Sequence, residues 1–300
     1  MKIFVTGGTG HVGESILWRL AESGHDSRVL TRDPEFARCH AGDIPRAYPT
    51  RGDITSSPVE VLARLMAKSE AIIHIVGIII EKGTSGFEVV HTEGTWRMIE
   101  AAKRAGVKRF IHMSALGVRE GAASRYHQTK YSAEQIVRES GLGWTIFRPS
   151  IIYGERDEFL NVFAGIARLP LPLPIIGSGE GKLQPIWVED VAHCFVKSLE
   201  VNETLGQTYE LGGDKAYSIK EIMRLLVQSM GKRRPFVHLP LSIARFQAKL
   251  FDFLPGRPPF TEDQVTMLGE DNVCNPALFK EVFDITLRPM EDYLQERFQD

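Results

Sequence analysis

The chain is poor in cysteine: Cys39, Cys194 and Cys274 are the three in 300 residues, and no two share a C-x-x-C spacing. That excludes a disulfide framework and the usual zinc-ligand patterns, and implies free thiols in a reducing compartment. The nine histidines are equally scattered, so no metal site is expected. Long hydrophobic runs are missing too. The longest, residues 71–80, is interrupted by His74 and Gly77 and falls far short of the roughly 18 residues that a spanning helix needs. A formal net charge of -2 lacks the basic excess of a nucleic-acid binder. No signal-peptide pattern, internal repeat or low-complexity segment is visible. The expectation is a cytoplasmic protein with no nucleic-acid partner and no stable membrane insertion, its oligomeric state open.

Glycine is present where it matters. Lys2-Ile3-Phe4-Val5-Thr6 is a short, apolar run that reads as a buried strand. It runs into Gly7-Gly8-Thr9-Gly10-His11-Val12-Gly13, and a helical pattern follows through Ile16, Leu17, Leu20 and Ala21 to Gly24. Strand, glycine-rich turn and helix is the context of a dinucleotide fingerprint. Gly7 or Gly8 permits the turn, Gly10 lets a pyrophosphate approach bare backbone, and Gly13 lets the helix pack close. The helix N-terminus offers free N–H groups and its dipole to the phosphates.

Strand and helix patterns then alternate. Strands are expected at 26–31, 48–51, 71–76, 109–114 and 144–148, with helices at 58–68, 87–105 and 124–140. Such alternation builds a parallel sheet with helices on both faces, right-handed crossovers and a ligand crevice at the strands' carboxyl ends. The fold class is α/β: a Rossmann-type, doubly wound parallel sheet spanning 1–150, followed at 151–300 by a smaller, mostly helical substrate lobe. After Pro149 the pattern changes, with helices expected at 188–199 and 219–230 and an extended segment at 208–211. An amphipathic helix at 241–253, then a Pro255-Gly256-Arg257-Pro258-Pro259 turn, lead to a helical tail. The lobe boundary is soft, since some of this half can return to extend the sheet. The apolar face of the 241–253 helix is expected to pack onto the sheet lobe, with a membrane-surface role as the alternative.

Tyr126 and Lys130, four residues apart, share one face of the helix after the fifth strand. A lysine ammonium near a phenol lowers the phenol's pKa and suits a proton-transfer pair beside a nicotinamide. An isolated match of this kind is a surface tyrosine and a solvated lysine; its position after a fingerprint-bearing sheet favours a site. Ser114, at the end of the fifth strand, lies where it can line the crevice.

These motifs resemble those of short-chain dehydrogenases/reductases of the extended or atypical kind, over nearly the whole chain. Thr6 to Gly13 resembles the family's cofactor signature, and Gly52-Asp53, followed by Ile54, its adenine-contacting turn. Tyr126-x-x-x-Lys130 resembles the active-site pair, and Arg148-Pro149-Ser150-Ile151-Ile152-Tyr153-Gly154 the segment beside the nicotinamide. Pro185-Ile186-Trp187-Val188-Glu189-Asp190-Val191-Ala192 resembles a motif of extended members. His91-Thr92-Glu93-Gly94-Thr95, Ile111 to Gly117 and Glu262-Asp263-Gln264-Val265 are similar to the branch holding the NAD(P)-binding accessory subunit of respiratory complex I.

The resemblance implies that Thr6, Gly7, Gly10, His11, Val12, Gly13, Asp53, Ile54, Pro149 and Ile151 surround the cofactor. Lys130 would hold the nicotinamide ribose and Tyr126 would be the acid/base, with Ser114 nearby. Two departures stand out: Leu116 occupies the usual serine or threonine place, and His91 the usual asparagine. Neither touches dinucleotide binding.

At the end of the second strand Thr31 stands where an acid would select NAD, and Arg32 follows to take a 2′-phosphate. NADP is expected, with Asp33 keeping NAD open. His74, Trp144 and Trp187 read as core residues before cofactor neighbours. Three functions are carried forward. The first is an NADP(H)-dependent oxidoreductase or isomerase on a nucleotide-sugar-like, lignan-like or quinone-like carbonyl or carbinol. The others are a non-catalytic NAD(P)-binding module associated with a respiratory complex, and a redox sensor that binds a protein.

Overall fold

A computed structural model describes residues 1–35, 37, 43–81, 85–251 and 258–298. Cys39 and the Pro255-Gly256-Arg257 part of the expected turn lie outside the described residues. β1 (Lys2–Thr6), β2 (Asp26–Thr31), β3 (Ala47–Arg51), β4 (Ala71–His74), β5 (Arg109–Met113) and β6 (Gly143–Pro149) follow the expected order. A seventh strand, β7 (Gln207–Leu211), comes back from the second half and pairs with β6.

The sheet order is β7-β6-β5-β4-β1-β2-β3, and every pairing is parallel. The chain goes from β1 outward to β3, then returns to the other side of β1 with β4. The switch point, where ligands bind in such sheets, is therefore at the carboxyl ends of β1 and β4.

Alternation along each strand sends side chains to two cores. Ile3, Val5, Ile73, Ile111 and Phe147 face the helix His11–Glu22, helix Val188–Lys197 and Phe279 and Phe283. Phe4, Ile72, Phe110 and Ile146 face the helices Val59–Leu65, Gly94–Ala105 and Arg125–Arg138. Burial on both faces is why these strands read as continuous apolar runs.

The second half also has its own core, around Tyr153, Leu160, Leu173, Tyr217, Ile222, Leu226 and Leu294. Short strand pairs tie it together: Ile152–Tyr153 with Ile186–Trp187, Leu173–Ile176 with Phe236–Leu239, and Lys182–Leu183 with Tyr217–Ser218.

Two local features depart from expectation. The helix expected from residue 87 opens as a π-helical stretch, Glu88–Glu93, before becoming α-helical at Gly94–Ala105. The wider turn coincides with burial of Val90 and His91; π-helical turns concentrate at functional sites. The helix Leu241–Phe251 does not pack its large apolar face on the sheet lobe. It buries Ala244 and Ala248 instead and leaves Ile243, Phe246 and Leu250 exposed. Small residues allow close packing at that seam, so the large ones point outward.

Candidate functional site

The fingerprint turn is built as the glycine spacing requires. Gly7 has φ +80°, a left-handed conformation that favours glycine. Gly10 N–H closes the turn onto the Gly7 carbonyl at 3.1 Å. A Cβ at Gly13 would stand 2.2 Å from the Gly7 oxygen and 2.6 Å from the Gly8 Cα, so the helix packs directly on the turn. At Gly10 the nearest atom to a Cβ would be the Gly7 oxygen, at 3.4 Å. The outer face of the turn is thus bare backbone. The first intrahelical bond runs from Glu14 N–H to the Gly10 carbonyl at 3.0 Å. The amides of His11, Val12 and Gly13 precede it and are available to an anion. These observations fit a dinucleotide pyrophosphate.

His11 follows the turn. Its ring lies against Gly154, where a Cβ would be 2.7 Å from Cε1. Burial and Arg156 lower its pKa. Thr6 is fully buried, its hydroxyl 2.7 Å from His74 Nδ1. Only the Thr6 backbone can therefore border a cofactor. His74 Nε2 meets Thr95 Oγ1 at 3.2 Å, and burial brings its pKa down to about 3. His74 is a neutral core histidine.

Beyond β3, Asp53 Oδ1 accepts from both the amide and the hydroxyl of Thr55 at 2.8 Å, capping the turn. The Ile54 side chain is buried in the core beneath Gly94, so this residue too offers only its backbone. Arg32 is exposed at the rim beyond β2. Thr31 Oγ1 and the Asp33 amide are 3.2 Å apart, and Asp33 Oδ1 accepts from Glu35 N. That short turn holds Arg32 at the strand's end.

The helix Arg125–Arg138 carries Tyr126 and Lys130. Its N-terminus is fastened twice. Ser124 Oγ accepts from His127 N–H at 3.1 Å, and the Asp263 carboxylate accepts from the amides of Arg125 and Tyr126 at 2.9 and 2.8 Å. Further along, Glu134 is fully buried and takes two bonds from Arg148, 2.8 and 2.7 Å, and one from Arg138, 3.2 Å. This fork pins the helix to β6.

Between those anchors, Lys130 is buried and donates to the Met113 carbonyl at 2.9 Å. Its Nζ also lies 3.1 Å from where a Gly77 Cβ would be. The ammonium therefore sits between the carboxyl ends of β4 and β5, at the crevice. Burial lowers its pKa to about 8, with Glu134 opposing.

The pairing expected from Tyr126 and Lys130 is looser than the spacing implied. Tyr126 packs edge-on to Phe87 and His91, with ring centroids 5.9 and 5.4 Å away. Burial raises its pKa to about 12. Burial alone accounts for that shift, and the Lys130 ammonium donates to the Met113 carbonyl.

Ser114 follows Met113 and is buried, and its hydroxyl has no hydrogen-bond partner among the described residues. A buried polar atom without a partner is costly and calls for an explanation. Ligand binding at the crevice supplies one. Leu116 is buried too and contributes only main chain: its N–H donates to the Pro149 carbonyl, and its carbonyl accepts from Asn272 Nδ2. Pro149 ends β6, and the half-buried Ile151 accepts from Ile186 N–H at 2.9 Å.

His91 and Asp263 fall within motifs read in the sequence, which did not give their contacts, and Asn272 was not singled out there. His91 Nε2 accepts from Ile78 N–H at 3.1 Å, so Nδ1 carries the proton and donates to Thr129 Oγ1 at 3.0 Å. Burial and Lys130 hold His91 neutral, its pKa lowered to about 2. Asn272 bridges Leu116 and the Ser150 hydroxyl. Asp263 had one local signal: Thr261 and Gln264 form a reciprocal capping box around it. Asn272 had none.

Residues 7–170 match the family described as NAD(P)H-binding. The chain is 29% identical over 303 residues to the NADH dehydrogenase (ubiquinone) 1 alpha subcomplex subunit 9, mitochondrial, of Arabidopsis thaliana, covering 96% of this chain and 75% of that one. It is 35% identical over 247 residues to the ceramide reductase of Caulobacter vibrioides, covering 79% of this chain and 73% of that one. The solved structure of MoeE5 in complex with UDP-glucose and NAD shares the fold, with a TM-score of 0.76 at 18% identity, over 100% of this chain and 98% of that one.

Proposed function

The chain belongs to the NAD(P)H-binding family, and on that premise we propose that it is an NADP(H)-dependent oxidoreductase of the atypical short-chain type, interconverting a carbonyl and a carbinol. One observation carries this reading: the Lys130 ammonium is anchored on Met113 at the carboxyl ends of β4 and β5, and the hydroxyl of Ser114, the residue after Met113, is buried with no hydrogen-bond partner among the described residues. A bound nicotinamide would supply or accept the hydride.

The chain's own residues do the rest. Gly7, Gly10 and the amides of His11, Val12 and Gly13 cradle the diphosphate. Asp53 and Ile54 border the adenine through the turn that Asp53 caps. Lys130 holds the nicotinamide ribose, and Pro149 and Ile151 wall the nicotinamide side. Ser114 Oγ donates to the substrate oxygen, and Tyr126 transfers the proton. Nucleotide-sugar-like and quinone-like substrates fit the proposal, and the name of the Caulobacter relative adds a long-chain lipid carbonyl. The test is NADPH oxidation, followed by absorbance, across a panel of these three carbonyl classes. Sustained oxidation with one class supports the reading, and cofactor that stays reduced with all of them rejects it.

The NADP preference rests on Arg32, exposed at the end of β2 with no acid at Thr31. In a thermal-shift comparison, NADPH at a hundred times its dissociation constant should stabilise the protein by about 2.7 kcal/mol. Arg32→Ala is expected to weaken NADPH roughly 10- to 100-fold, the worth of hydrogen bonds to a charged group, and to leave NADH affinity unchanged. Equal losses for both nucleotides would remove Arg32 from the 2′-phosphate.

Leu116 favours a second reading. It is buried at the place where the resemblance implies a serine or threonine donor. In this reading the protein is a non-catalytic NAD(P)-binding subunit of a larger respiratory assembly, in keeping with the name of the Arabidopsis relative. NADPH that co-purifies, stays reduced across the panel and accompanies a protein partner is the outcome it requires.

A further inference from the structure

The helix Leu241–Phe251 is inverted relative to an ordinary amphipathic helix. At about 100° per residue, Ala244 and Ala248 lie on one side and are fully buried. Ile243, Phe246 and Leu250 lie on the other, 47%, 70% and 53% exposed. The surface continues beyond this helix. Leu169 and Leu171 precede the strand Leu173–Ile176, which pairs with Phe236–Leu239, and Val237 on that partner strand is exposed as well. Gly177 is hydrogen-bonded to Leu239 and lies against Leu241, joining the strands to the helix.

Charge on these segments has one sign. Residues 159–179 and 222–251 contain Arg168, Arg224, Lys232, Arg233, Arg234, Arg245 and Lys249 and no Asp or Glu, in a chain whose formal net charge is -2. At the edge, Lys249 reaches Glu262 at 3.5 Å and Lys220 reaches Glu180 at 3.9 Å. Exposed large apolar side chains interspersed with cations match the surface of a bilayer rich in anionic headgroups. Among the described residues no helix is long and apolar enough to cross a membrane, so contact would be at the interface.

We propose that this face, formed by the helix Leu241–Phe251 and the paired strands Leu173–Ile176 and Phe236–Leu239, docks the protein on an anionic membrane. A physical link runs from it to the candidate site. The helix packs against Glu262–Met267, whose Asp263 caps the amides of Arg125 and Tyr126. The proposal does not depend on the catalytic reading, and its test does not measure turnover.

The test is vesicle flotation of the full chain. It should float with mixed phosphatidylcholine–phosphatidylglycerol vesicles, stay behind with phosphatidylcholine alone, and be released by high salt. Arg233→Gln and Arg234→Gln should each weaken binding about fivefold. Phe246→Ser with Leu250→Ser should abolish flotation with no change in thermal midpoint, because both side chains are exposed. Failure to float with the mixed vesicles overturns the proposal, as does undiminished flotation of the serine variant. So does a serine variant that instead splits a dimer in sedimentation velocity without any vesicle binding, which would assign the face to a second copy of the chain.

Discussion

Tyr126→Phe is expected to reduce turnover by about 10²- to 10⁴-fold, the usual worth of a positioned proton donor, while NADPH affinity stays within a few-fold. The substitution removes one hydroxyl and keeps the ring that packs on Phe87 and His91. Fold and nucleotide site should therefore be untouched. Stopped-flow binding and steady-state rates on the same preparation separate the two effects. Unchanged turnover would take Tyr126 out of the mechanism.

The same pair sets a pH dependence. In the free protein the phenol is pushed up to about 12 and the Lys130 ammonium down to about 8, both by burial. Lys130 carries its charge below pH 8 and loses it above. NADPH affinity should fall as pH rises through about 8, and Lys130→Met should bind weakly with that dependence gone. Tyr126→Phe should retain it, since the phenol titrates far above this range.

The second large effect separates two glycines three residues apart. Gly13→Ala would drive a methyl group to 2.2 Å from the Gly7 oxygen, against main chain that has nowhere to move. The helix His11–Glu22 must then shift from the turn, and destabilisation of about 3 kcal/mol or more, of the kind overpacking produces, is expected in urea unfolding. Gly10→Ala meets only the Gly7 oxygen at 3.4 Å. That variant should fold normally and yet lose nucleotide affinity by about 100-fold, because the methyl occupies the path of the diphosphate. Normal NADPH binding by a folded Gly10→Ala protein would place the diphosphate elsewhere.

Much of the architecture was readable because its causes are local. Apolar strands buried on both faces and amphipathic helices closed at Gly24, Gly106 and Gly141 announce themselves within a dozen residues. The glycine spacing from Gly7 to Gly13 specifies a turn whose geometry depends on those positions alone. The extended segment at 208–211 was legible too and returns to the sheet as β7, whereas the π-helical stretch Glu88–Glu93 was not, because one residue inserted into a helix leaves the apolar pattern nearly unchanged.

By itself the sequence determined the α/β alternation, the bare-backbone glycine turn and the spacing of Tyr126 and Lys130, since each is set by short-range sterics and helical period. Tertiary structure alone decided what those groups meet. It put the Lys130 ammonium on Met113, Asp263 on the amides of Arg125 and Tyr126, and Asn272 between Leu116 and Ser150. It also turned Phe246 outward. Such contacts join segments as many as 156 residues apart, and they depend on how whole elements pack rather than on any pattern within one of them.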